Sequence, residues 1–232
     1  TRRFEDIAPF YSQPMIGEMG AAAPDTVQHQ SSSAARELKK LGINTNLAPV
    51  ADVSSGWGTA MDGRAYGDDA EQVAELAGRA VKAYNNATTI SAPKHFPGIG
   101  SADDDTEDAP ATVDLSREDM DQYELLPFRE VIAAGAPMIM VSHASVPALD
   151  PTGLPASQSK VMMTDLLRNQ MAFAGVIITD DLEMGAITEQ TGVGEAAVAA
   201  LAAGADVIVV AHTPEARNAA YSAIVEAVES GK

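Results

Sequence analysis

The sequence contains no cysteine, which excludes disulfides, thiolate metal sites and cysteine nucleophiles. Positive charge is scarce. Fifteen Lys and Arg stand against 33 Asp and Glu, a formal net charge of −18. A nucleic-acid backbone or an anionic membrane surface would be repelled on average, so neither is expected as a partner. No apolar run approaches the ~18 residues of a membrane span, and the opening Thr-Arg-Arg-Phe-Glu-Asp does not read as a signal peptide. The compartment stays open between the cytoplasm and, after removal of a signal, the cell envelope or exterior. Neither GxGxxG nor GxxxxGK[ST] occurs, so the usual nucleotide-binding turns are missing.

What is present is a regular alternation. With 232 residues, 46% of them hydrophobic, the chain can bury a core as one large domain over 1–232. Short runs rich in Val and Ile occur at 43–53, 88–96, 136–144, 175–184 and 205–213. Helical patterns fill 69–86, 117–135, 159–173, 194–204 and 214–230, and a further helix leads into Ile43. Strands apolar on both faces and separated by helices imply a parallel sheet covered on both sides. That leaves an open doubly wound sheet or a TIM-type (β/α)8 barrel.

The strand ends favour the barrel. Asp52, Lys94 with His95, His143, Asp180 with Asp181, and His212 each follow a strand. In a barrel those C-terminal ends share one face and converge on one pocket, whereas an open sheet concentrates its site at a switch point. Only about five of the eight βα units are legible, so the barrel is expected to lack its first strand or strands in this chain.

Asp180, directly after a buried strand, suits a nucleophile or general base; the alternative is that Asp180 or Asp181 caps the next helix. Lys94 and His95 could bind hydroxyls, or be a structural pair held by a nearby carboxylate. The Phe-Pro-Gly that follows gives their loop a set path. Arg64 is expected to be paired within so acidic a chain. The run Asp103, Asp104, Asp105, Glu107, Asp108 could be a solvated loop, a calcium ligand set without EF-hand spacing, or the source of a general acid. His143 and His212 lack metal spacing with any carboxylate and read as core or supporting groups.

The segments "KHFPGIG" (94–100), "LLRNQMAF" (166–173) and "GVIITDDLEMGAI" (175–187) together resemble glycoside hydrolase family 3, most closely its β-N-acetylhexosaminidase branch, often called NagZ-like. "NTNLAPVADV", "GRAYG" and the stretch 124–157 fit the same resemblance. It implies a TIM-type barrel and a retaining exo-β-N-acetylglucosaminidase that forms a covalent glycosyl-enzyme on Asp180 and trims terminal GlcNAc from peptidoglycan fragments or related glycans of the cell wall. It further implies that Lys94, His95 and Arg64 bind the sugar, and that no metal or organic cofactor takes part.

Two positions depart from the family pattern. Where many members carry an acid/base His on the loop after the Lys-His element, this sequence has Glu107, with Asp105 beside it as loop support or alternative acid/base; Ile99 replaces a second His. A Glu in that role needs burial or neighbouring carboxylates to hold its proton. The early Asp-x-Glu-Gly-Gly element is also absent, and Thr1 onward resembles the residues just after it. Association with a separate N-terminal segment would follow. The rival readings are a β-glucosidase-type exo-glycosidase, which usually has Ser-Asp-Trp where this chain has Thr-Asp-Asp, and a sugar-binding barrel without catalysis.

Overall fold

The structure is a computed structural model that describes residues 11–54, 61 and 63–231. The reading of the first ten residues as the continuation of a missing strand lies outside them. Helix α1 (Gln13–Gly17) starts at Ser12, whose hydroxyl accepts from the Met15 N–H, and α2 (Ala23–Lys40) carries Asp25 in its first turn and Lys39 and Lys40 in its last. Those charges oppose the helix dipole at each end. Strand β1 (Thr45–Asn46) is followed by α3 (Ala70–Asn86), capped by Asp69, and by β2 (Ile90–Ser91). Next come α4 (Arg117–Asp119), α5 (Leu125–Ala133) and β3 (Met138–Val141). A wide helix over Val161–Gln170 leads to β4 (Val176–Asp181). The chain continues through α6 (Gly185–Thr188), α7 (Val193–Ala203), β5 (Val207–Val209) and α8 (Pro214–Ser230).

The five strands found among the described residues run parallel and in sequence order. Thr45 pairs with Ile90, Met138 with Val176 and Ile178 with Val207. The second strand reaches the third through Phe96, whose N–H donates to Met140 O at 2.8 Å and whose carbonyl accepts from Ser142 N–H at 2.9 Å. Among the described residues the order never reverses, so there is no switch point of the doubly wound kind. Sequential parallel strands with helices outside are an arc of a TIM-type barrel, the fold expected from the sequence.

The helices cover this arc through apolar stripes. In α3 the buried Val73, Leu76, Ala77, Ala80, Val81 and Tyr84 recur at helical spacing and face α2 and α5. Phe96, from beneath the sheet's upper rim, meets Phe128 of α5 edge-on, with centroids 5.3 Å apart and planes at 90°. Both rings are fully buried, and such a pair adds about 0.5–1.5 kcal/mol beyond the area it hides.

Two helices depart from expectation, and one of them is the π helix over Val161–Gln170. The single helix anticipated over 117–135 opens into a π turn at Met120–Glu124 between α4 and α5, where the Leu125 N–H donates to Met120 O. Pro127 has no N–H to offer the preceding turn, and the wider turn absorbs that lost bond. It also leaves the carboxyl of Glu124 buried under the sheet rim.

Candidate active site

The strand ends meet at one place. Asp180 closes the exposed end of β4, with its side chain 20% accessible and its Oδ2 3.8 Å from His95 Nε2. Arg64 Nη2 lies 3.2 Å from the same His95 nitrogen. A guanidinium only donates, so Nε2 accepts and Nδ1 carries the ring proton. That proton points at Asp52 Oδ2, 2.7 Å away. Asp52 is completely buried, and its Oδ1 also accepts from the backbone N–H groups of His95, at 3.1 Å, and Ile99, at 3.0 Å. The imidazole is therefore fixed from behind by a carboxylate and presents its other edge to Asp180 and Arg64.

The electrostatics favour an ionised Asp180. Burial works against its charge, but the Lys94 ammonium and the Asp181 N–H, joined by His95 and His143 whenever those rings are protonated, hold the carboxyl below the usual carboxylate range. Lys94 and His95 emerge from the strand rim side by side; the Lys94 N–H donates to Pro49 O at 3.0 Å, and its carbonyl accepts from Ala51. The peptide bonds Lys94–His95 and Phe96–Pro97 are both cis. Among the described residues no group of three or more His, Asp or Glu could hold a metal ion.

The other strand-end groups do supporting work. His143 is buried between the Ser157 hydroxyl, at 2.7 Å from Nδ1, and the Asp181 carbonyl, at 3.0 Å from Nε2, and burial pushes its pKa down. A neutral ring that donates from Nε2 and accepts at Nδ1 satisfies both contacts. Asp181 pairs with the exposed His212 at 3.0 Å and accepts from the Glu183 N–H. Neither aspartate caps α6, whose N-cap is Met184.

The acidic loop is joined to the start of α6, the helix that follows β4. Gly185 N–H donates to Glu107 O at 2.8 Å, and Ala186 N–H donates to Thr106 O at 3.2 Å. Gly185 is required there, because a Cβ would sit 2.0 Å from the Asp108 carbonyl oxygen. Within the loop, Asp105 Oδ1 accepts from the Glu107 N–H at 3.0 Å, and Asp103 Oδ1 accepts from Thr112 N–H at 2.7 Å. The burial anticipated for a proton donor at Glu107 is not found; its side chain is exposed. The structure thus brings Asp180, His95, Arg64 and Lys94 together and leaves Glu107 and Asp105 on a docked but open loop.

Two residues were given no role by the sequence. Asp52 stood at a strand end, and only the structure shows that it orients His95. Glu124 was hidden in a helix, although it lies four residues from both Met120 and Phe128 on an otherwise apolar stripe. An acid in such a stripe is a legible signal, because a buried carboxyl has to be kept for a reason.

Comparison with known proteins gives the family. The profile described as "Glycosyl hydrolase family 3 N terminal domain" matches residues 10–232. A family 3 β-N-acetylglucosaminidase from Paenibacillus sp. str. FPU-7 superposes with a TM-score of 0.96 and 39% identity, covering 100% of this chain and 44% of that one. Beta-hexosaminidase A of Pseudoalteromonas piscicida is 36% identical over 189 residues, 76% of this chain and 32% of that protein. The Beta-hexosaminidase of Nitrosomonas eutropha is 31% identical over 207 residues, 88% of this chain and 59% of that protein. The chain thus spans between a third and three fifths of these curated relatives. It belongs to glycosyl hydrolase family 3 and corresponds to that family's N-terminal domain.

Proposed function

We propose that the protein is a retaining exo-β-N-acetylglucosaminidase. The observation that carries this reading is the partly buried Asp180 carboxyl at the end of β4, facing an imidazole that Asp52 and Arg64 hold in place. Asp180 attacks the anomeric carbon, the glycosidic bond to the leaving oxygen breaks, and a glycosyl ester forms. Water then attacks the anomeric carbon, breaks its bond to the Asp180 carboxylate, restores the β configuration and frees Asp180. Lys94, His95 and Arg64 grip the sugar hydroxyls at fixed angles. Glu107, on the loop bonded to the start of α6, gives its proton to the leaving oxygen and later takes one from water. The names of the relatives favour N-acetylglucosaminides over glucosides as substrates, and terminal GlcNAc on cell-wall fragments fits an exo-acting pocket.

The test compares 4-nitrophenyl N-acetyl-β-glucosaminide with the glucoside and follows the anomer released by NMR. Hydrolysis of the first with initial release of the β anomer is expected. Preference for the glucoside, or binding without turnover, would transfer the case to the rival readings. Glu107→Gln should lose about 10²-fold or more on 4-methoxyphenyl glycosides and far less on 2,4-dinitrophenyl ones, with azide restoring turnover as the β-azide. Normal turnover of the methoxyphenyl substrate would remove Glu107 from the mechanism.

A further inference from the structure

The proposed mechanism makes no use of Glu124, yet its carboxyl is one of the most deeply buried polar groups described, with 2% of the residue exposed. It arises from the π turn between α4 and α5 and reaches the segment that leads from the Lys-His pair to the acidic loop. Its Oε1 accepts from the Ser101 N–H at 3.2 Å and from the Ser101 hydroxyl at 3.1 Å. Gly98, at φ +111°, leaves room for it, since a Cβ there would lie 2.4 Å from Oε2. The segment 95–101 is thus held at both ends by buried carboxyls. Asp52 takes the N–H groups of His95 and Ile99, and Glu124 takes Ser101.

We propose that Glu124 is a positioning residue that fixes the root of the acidic loop at Ser101 and so sets where the loop's proton donor stands relative to the sugar held by Lys94 and His95. The inference rests on the glycosidase reading for its catalytic consequence but not for the placement itself. Two carboxylates this deep and this near one another cannot both be charged cheaply. Burial first, and then the charge of Asp52, push the Glu124 pKa up to about 8, against the pull of Ser101 and of the Val53 and Gly100 N–H groups. Among the described residues, Asp52 is the charged group that faces it. Glu124 therefore stays protonated at neutral pH. A neutral amide is the matching mimic.

The experiment compares Glu124→Ala, Glu124→Gln and Ser101→Ala with the unaltered protein on 4-methoxyphenyl and 2,4-dinitrophenyl N-acetyl-β-glucosaminides. A misplaced proton donor hurts poor leaving groups selectively, because dinitrophenolate departs without help. Glu124→Ala should lose about tenfold or more in kcat/KM on the methoxyphenyl substrate relative to the dinitrophenyl one. Ser101→Ala should show the same bias more weakly, and Glu124→Gln should stay within about threefold on both. Hydrogen exchange over 101–108 should quicken in the Ala variants and not in Gln. Equal losses on the two substrates, a Gln variant as impaired as Ala, or an unchanged substrate ratio in Ser101→Ala would overturn the proposal, the last deciding even if Glu124→Ala fails to fold. If the unaltered protein hydrolyses neither substrate, the glycosidase reading fails, and exchange alone decides the placement: unchanged exchange in Ser101→Ala rejects it.

Discussion

Strand β4 has two ends built to opposite specifications. At its start Arg168 donates to the carbonyls of Phe173, at 2.8 Å, and Gly175, at 2.6 Å, and pairs with Asp206 at 2.7 Å. Asp206 in turn accepts from the Ile177 N–H at 2.8 Å, and the guanidinium lies 5.7 Å from the Phe173 ring centre. Every polar group in that clamp has a protein partner suited to it. At the other end Asp180 takes the Asp181 N–H at 2.9 Å, while its Oδ2 stands 3.8 Å from His95, beyond hydrogen-bond length. The lower rim uses charge to close the chain. The upper rim uses neighbouring charge, against the cost of burial, to keep a carboxylate ionised with capacity to react. The contrast is the division of labour expected of a barrel, with stability below and chemistry above.

The largest expected effect tests the upper rim. Asp180→Asn should reduce kcat by at least about 10³-fold with little change in melting temperature, measured by steady-state kinetics and thermal unfolding. A comparable loss of stability would mean that Asp180 is structural. Asp52→Ala lies between the two ends, since it leaves His95 and two N–H groups without their acceptor. It should cost about 3–5 kcal/mol in urea unfolding and also depress activity. Arg168→Ala should destabilise by about 1.5–3 kcal/mol and leave kcat/KM intact; a fall in kcat/KM would erase the contrast between the rims. The smallest effect is in acid. The native Asp180 pKa is depressed, so its stabilisation is present above the ordinary carboxylate pKa and fades as pH falls through the lower native value. Asp180→Asn should flatten that part of the stability profile. Glu124 has the opposite sign. Its native pKa is raised to about 8, so stability falls as pH climbs from the ordinary carboxylate value toward 8.

The sequence exposed the upper rim better than the links behind it. Strand ends are short-range features: a Val/Ile run followed by Asp180, or by Lys94 and His95, announces both element and position. The five strands and the helices between them could be placed for the same reason. The pairing of Asp52 with His95, 43 residues apart, could not, because it depends on which strands become neighbours. The π turn was hidden as well, since Met120, Glu124 and Phe128 keep ordinary helical spacing. The docking of residues 106 and 107 on α6 joins segments about 80 residues apart through main-chain atoms, on which side-chain identity says little. Gly185 was its one visible trace.

The central claim is that Asp180 is the nucleophile of a retaining glycosidase. Its most direct test is reaction with a mechanism-based 5-fluoro glycosyl inhibitor of the GlcNAc type, followed by peptide mass mapping. One sugar per chain is expected, attached to Asp180 and lost on incubation with an acceptor. Label on another residue, or none on folded protein that binds the sugar, would contradict it.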